Sequence, residues 1–140
     1  MAMVSALLLC AHSVHASVTC KVPASLQGQD VLAVVSAGYS PDNPMSGDTY
    51  RLRFDNGTYT YTVLNTGEVF SGQYSYQVVS PSIGVVDAQE TFSGQLTRYS
   101  MTLLCENMGS GRYVYRQQVG VDGARVNVAR YFLMQPVPAK

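Results

Sequence analysis

Between Gly47 and Val63 the sequence reads GDTYRLRFDNGTYTYTV. In its first run Tyr50, Leu52 and Phe54 fall on one side, and Thr49, Arg51 and Arg53 on the other. In its second run Tyr59, Tyr61 and Val63 oppose Thr58, Thr60 and Thr62. Alternation with period two marks a strand with one buried face. Asp55-Asn56-Gly57 joins the runs, and Asn-Gly in that position predicts a hairpin with a type I′ turn, in which both central residues take positive φ.

The same grammar recurs along the chain. Asn65-Thr66-Gly67 turns it again, and Glu68 to Val78 forms a strand with Phe70, Tyr74, Tyr76 and Val78 on one face and Gly72 in register among them. A glycine inside a strand marks a bulge or a place where the sheet curls. Ile83 to Asp87 reads as a short strand and Ala88 to Gln95 as a polar loop. From Leu96 to Glu106, Tyr99, Met101, Leu103 and Cys105 share a face. From Arg112 to Val119 the matching set is Tyr113, Tyr115, Gln117 and Val119, and Arg125 to Met134 is the last strand. Earlier, Val31 to Val35 is apolar but too short to tell a buried strand from a turn of buried helix, and Ser40 to Pro44 is a proline-broken loop. No helical period of useful length follows residue 17. The expectation is an all-β domain, an antiparallel up-and-down meander closed into a barrel of about eight strands. It spans 47–135, after an N-terminal segment over 17–46 with one short strand, and before a tail over 136–140.

The first sixteen residues change the picture. MAMVSALLLCAHSVHA has no charged side chain and ends on the small-residue pattern Val14-His15-Ala16. This predicts a signal peptide over 1–16, although it lacks the usual basic residue near its start. The mature chain is then secreted or periplasmic, with no membrane span. Both histidines and Cys10 leave with the leader. What remains is Cys20 and Cys105, an even pair that reads as a disulfide in an exported chain.

Charge narrows the partners. Nine basic residues balance nine acidic ones, so there is no basic excess for a nucleic acid. Loss of both histidines removes the base of a Ser-His-Asp or Cys-His mechanism and any histidine metal site. No phosphate loop or other cofactor motif is present, so neither a metal nor a cofactor is expected, and no catalytic set can be named. Asn56-Gly57-Thr58 is an N-glycosylation sequon, though Asn-Gly there is already accounted for by the turn.

The strand pattern resembles calycin-type meander barrels: lipocalins, avidins and the small lipocalin-like proteins related to molybdenum-cofactor-biosynthesis protein F. Gly47 to Phe54 with Asp55-Asn56-Gly57, Gly67 to Tyr74, Gly111-Arg112-Tyr113 and Gly123 to Met134 carry the resemblance. It implies the fold class alone. It implies no ligand, because the chain has no Trp where avidins hold biotin or where lipocalins carry Gly-x-Trp.

Ten tyrosines make the candidate chemistry. Tyr59, Tyr61, Tyr74, Tyr76, Tyr99, Tyr113 and Tyr115 all lie on the apolar face of their strands. Their hydroxyls either line a small cavity or bond one another in a filled core. Arg130 either faces inward with Val126, Val128, Phe132 and Met134, where it would need Asp87, Glu90 or an anion, or is solvated with Ala129, Tyr131 and Leu133 inside. Arg130 or Arg98 is placed at one mouth. The leading functional reading is a non-catalytic barrel binding a small ligand or a surface partner. An isomerase or cyclase using Tyr and Arg, and an interaction or inhibitor module, are the alternatives.

Overall fold

The computed structural model describes residues 20–38, 45–121 and 123–134; the predicted leader over 1–16, the predicted tail over 136–140 and the predicted Ser40–Pro44 loop lie outside them. Eight antiparallel strands form one closed ring in chain order: β1 (Asp30–Val35), β2 (Thr49–Phe54), β3 (Thr58–Val63), β4 (Val69–Ser80), β5 (Ile83–Phe92), β6 (Gln95–Asn107), β7 (Ser110–Val119) and β8 (Val126–Met134). No helix is present among the described residues. The ring is sealed by β8, which pairs with β1 from Asp30↔Met134 to Val35↔Ala129.

The Val31–Val35 run is thus a full member of the barrel, which begins at Asp30, ahead of the 47–135 span read from the sequence. Its pairing with both β2 and β8 resolves what five residues of periodicity could not. The segment read as a loop, Ala88 to Gln95, is mostly strand. β5 continues to Phe92 because its alternation continues, with Val86, Ala88 and Glu90 buried in turn. Ser93 and Gly94, at φ 49° and 75°, form the two-residue turn into β6, the pattern of a type I′ turn. At Asp55-Asn56-Gly57, by contrast, only Gly57 has positive φ, at 71°, and Asp55 N–H bonds Thr58 O at 2.8 Å. That is a three-residue loop with its glycine in the left-handed position, so the Asn-Gly pair makes the expected hairpin by a different turn.

The inner faces form one apolar core, from Val31 and Ala33 through Leu52, Phe54, Val86, Met101 and Leu103. On β8, Asn127, Ala129 and Tyr131 are the buried set and Arg130 is exposed. Arg130 sits opposite Val34 and Arg112 in the register, on the outer wall, where its guanidinium stays hydrated. Arg98 is likewise exposed, between the buried Thr97 and Tyr99.

The two ends of the barrel differ. Residues 20–29 cross one of them. Val22 and Leu26, the latter only 1% exposed, enter the core. Val22 N–H bonds Pro81 O, and Gly28 N–H bonds Phe54 O, both at 2.9 Å. Cys20 and Cys105 lie at disulfide distance there, with Cα atoms 5.9 Å apart. This end is stoppered. The other carries the longer β1–β2 connection and the β3–β4, β5–β6 and β7–β8 turns.

Candidate functional site

Strand register builds the site. Across β3, β4, β5 and β6 the pairs Tyr59↔Gly72, Gly72↔Glu90 and Glu90↔Thr97 set four residues in one row on the inner face. Gly72 contributes no side chain, so the Tyr59 ring lies across its position: a Cβ there would fall 2.6 Å from the Tyr59 hydroxyl and against the carbonyl oxygen of Gln89. Tyr59 thereby reaches over a whole strand and donates its hydroxyl hydrogen to Glu90 Oε2 at 2.6 Å. Tyr61, two residues on and on the same face, donates to Glu90 Oε1 at 3.1 Å. Tyr99 from β6 donates in turn to the Tyr59 hydroxyl at 2.7 Å. The glycine gap that suggested a curled strand is the opening through which a tyrosine meets a carboxylate.

Glu90 is 8% exposed. Burial disfavours its charged form and outweighs the two tyrosine hydrogen bonds that favour it, so its carboxyl titrates above the usual 4.5. The tyrosines around it are pushed upward too, by burial first and by the nearby carboxylate second for Tyr61 and Tyr115. All remain neutral phenols over the physiological range.

Beside Glu90 opens a cavity of about 330 Å³ at the loop-bearing end. One wall is aromatic: Tyr61 stacks on Phe70 with centroids 5.1 Å apart, and Phe70 meets Phe92 at 5.3 Å. The lining also holds Tyr50, which donates to Asp48 Oδ2 at 3.2 Å, and Tyr115, which donates to Gln117 Oε1 at 3.1 Å. The rim carries Met45, Glu68, Val121 and Arg125. Thr97 Oγ1 is buried in the wall with no hydrogen-bond partner among the described residues. A further space of about 50 Å³ continues past Glu90 toward Tyr99, Met101 and Tyr113. A hollow of about 580 Å³ on the outer wall is wider, but its polar side chains, Gln73, Asp87, Gln89, Arg98 and Gln118, are all exposed. It holds no buried group that a ligand would have to satisfy, and the inner cavity does.

The seven sequence-selected tyrosines share the inner face without sharing one cavity. Tyr61 and Tyr115 line the main space, Tyr99 and Tyr113 the deeper one, and Tyr59 lies behind Glu90. Tyr74 and Tyr76 belong to the stoppered end, where their hydroxyls bond Asp55 O at 2.9 Å and Pro23 O at 2.8 Å. Arg98 and Arg130 stand outside the barrel. The cation at the mouth is Arg125, and Glu90 meets tyrosine hydroxyls instead of an arginine. Sequence reasoning named Glu90 only as a partner for an inward Arg130 and passed over Thr97 and Tyr50 as site residues. The continued alternation Val86-x-Ala88-x-Glu90 was the available signal for Glu90. Among the described residues no group of three or more His, Cys, Asp or Glu side chains is placed to hold a metal ion, and no helix is long and apolar enough to cross a membrane.

Neither a scan against protein-family models nor searches of curated proteins and of solved structures return a match to this chain.

Proposed function

We propose that the protein is an exported barrel that binds one small organic molecule, without catalysis, in the cavity at its loop-bearing end. The observation that carries this reading is the cavity itself, about 330 Å³, ring-walled and converging on a buried carboxylate. Small-molecule sites are typically of roughly 300–1,000 Å³, mostly apolar, with a few polar groups that orient the ligand. Glu90 adds weight: a carboxylate that burial disfavours does little for folding, and a ligand gives it a use. The resemblance to calycin-type barrels agrees, since eight strands leave room for one small ligand. Export is supported by the Cys20–Cys105 pair together with the apolar leader. Native mass spectrometry of protein made in an oxidising compartment, followed by a thermal-shift screen of small molecules, tests the reading. A retained mass or a saturable shift is expected. A bare mass and a flat screen would overturn it.

Glu90 also favours a second reading, a barrel isomerase or cyclase. A carboxyl with a raised proton affinity inside a cavity suits general acid–base work. Its groups would be Glu90 and Tyr61, since Arg98 and Arg130 lie outside. Conversion of a bound molecule, abolished in Glu90→Gln, would select it over simple binding.

A further inference from the structure

The hydrogen-bond inventory of the cavity narrows the ligand, given the small-ligand reading on which this step rests. The phenol hydrogens of the wall are committed: Tyr50 to Asp48, Tyr61 to Glu90 and Tyr115 to Gln117. The Gln117 amide is committed as well, to the carbonyl oxygens of Val121 and Gly123. Apart from Arg125 and the Thr97 hydroxyl, which can donate or accept, what the wall has left to offer is acceptors. A carboxylate has about four lone-pair sites, and hydroxyls of two tyrosines reach Glu90. Thr97 Oγ1 adds a buried oxygen with no partner among the described residues. A ligand complementary to such a wall brings hydrogens.

Charge and ring faces point the same way. Three carboxylates, Asp48, Glu68 and Glu90, line the space against one guanidinium, Arg125, which has interactions of its own. Tyr61 stacks on Phe70 and Phe92 lies tilted against Phe70, so three rings line the space that Glu90 also lines, and a cation held within about 6 Å of a ring centroid is attracted by the ring quadrupole. A neutral polyol would gain from the acceptors but not from the rings or the negative field. An anion would meet all three unfavourably.

We propose that the ligand is a small organic ammonium ion, a primary or secondary amine on an apolar body, with its N–H groups on Glu90 and Thr97 and its charge against the Tyr61–Phe70–Phe92 wall. Burying the cation would supply Glu90 with the charge partner that the described residues do not provide.

Isothermal titration calorimetry with phenethylammonium, phenethyl alcohol and phenylacetate tests this, since the three probes differ chiefly in the polar group. The ammonium should bind more tightly than the alcohol by about tenfold or more, the scale of one charge-assisted hydrogen bond or desolvated cation–π contact, and phenylacetate should not bind. Glu90→Gln should bring the ammonium down to the level of the alcohol. Phe70→Leu, an apolar exchange, serves as a second variant should Glu90→Gln fail to fold, and should weaken the ammonium more than the alcohol. Equal or tighter binding of the alcohol or of phenylacetate would overturn the ammonium while leaving a small-ligand barrel standing. If none of the three binds, the ammonium proposal falls, and the native-mass result alone decides whether the cavity reading survives.

Discussion

Tyr59 donates to Glu90 across an intervening strand, at 2.6 Å, because the residue between them in the register is Gly72. Replacing Tyr59 with Phe keeps the ring and leaves one carboxylate oxygen without its donor. An unsatisfied buried polar group costs about 1–3 kcal/mol, so the unfolding free energy from urea titration should fall by that much. Tyr74→Phe, whose hydroxyl bonds a backbone oxygen at the exposed rim, should cost less. Equal effects from the two variants would dissolve the distinction between them.

Gly72→Ala should be worse than its size suggests. The added methyl meets the Gln89 carbonyl, which is ladder backbone and cannot yield, as well as the Tyr59 hydroxyl. Overpacking of this kind costs roughly 1–3 kcal/mol, and tyrosine fluorescence should report the displaced ring. An unchanged melting temperature would mean that the strands can part there.

Glu90 makes stability depend on pH in a defined direction. Its folded carboxyl titrates above 4.5, so the unfolded chain ionises first. The stabilisation is complete below 4.5 and is lost as pH rises through the folded value. Denaturant midpoints measured across that range should decline in the native protein. In Glu90→Gln the decline should be absent and stability near neutrality equal or higher. Identical slopes in both proteins would show that the carboxyl is not the group responsible.

Alkali should act cooperatively. Tyr50, Tyr59, Tyr61 and Tyr99 all titrate above 10.0 because they are buried. The unfolded chain ionises its tyrosines near 10, so stability is full below that value and falls above it. Tyrosinate absorbance should therefore rise in one step together with loss of the sheet signal in circular dichroism. Smooth titration with the sheet intact would place these hydroxyls in solvent.

Cys20 and Cys105 are separated by 85 positions. Constraining a loop of that length stabilises by about 4–5 kcal/mol in the chain-entropy model, and removal of a native bridge from a small exported domain costs about 2–5 kcal/mol. Cys105→Ser should show that loss, and intact protein should weigh two hydrogens less than its reduced form. Labelling of both thiols in native protein would refute the bridge.

The fold was legible in the alternation of Thr49–Phe54 and Thr58–Val63, because a strand half in water must repeat every second residue. β1 was legible only as an apolar run. One of its neighbours, β8, lies at the far end of the barrel's sequence, and five residues of Val, Leu and Ala carry no polar face to count. The tyrosines could be assigned to the inner face. Which end of the barrel each serves depends on pairing register, and no single strand contains that. Glu90 was the least visible. In Ala88-Gln89-Glu90-Thr91 it reads as solvated polar chain, and its burial is produced by Tyr59, Tyr61 and Tyr99 arriving from two other strands. Arg130 shows the converse. Valines and a phenylalanine at alternate positions left either face of β8 open as the inner one, and Ala129 and Tyr131 take it, leaving Phe132 41% exposed.

A ring sealed by its first and last strands offers no edge to a neighbour, but only after the ribosome has passed Met134. Until β8 is in place, β1 and β7 each present a row of open hydrogen-bonding groups, and exposed rows of that kind recruit strands from other chains. A stop codon before Val126 would spare Glu90 and both cysteines and remove the seal with its buried residues Asn127, Ala129 and Tyr131. Its product would be a sheet with two adhesive borders, so the cost of such a truncation would fall on solubility before it fell on the pocket.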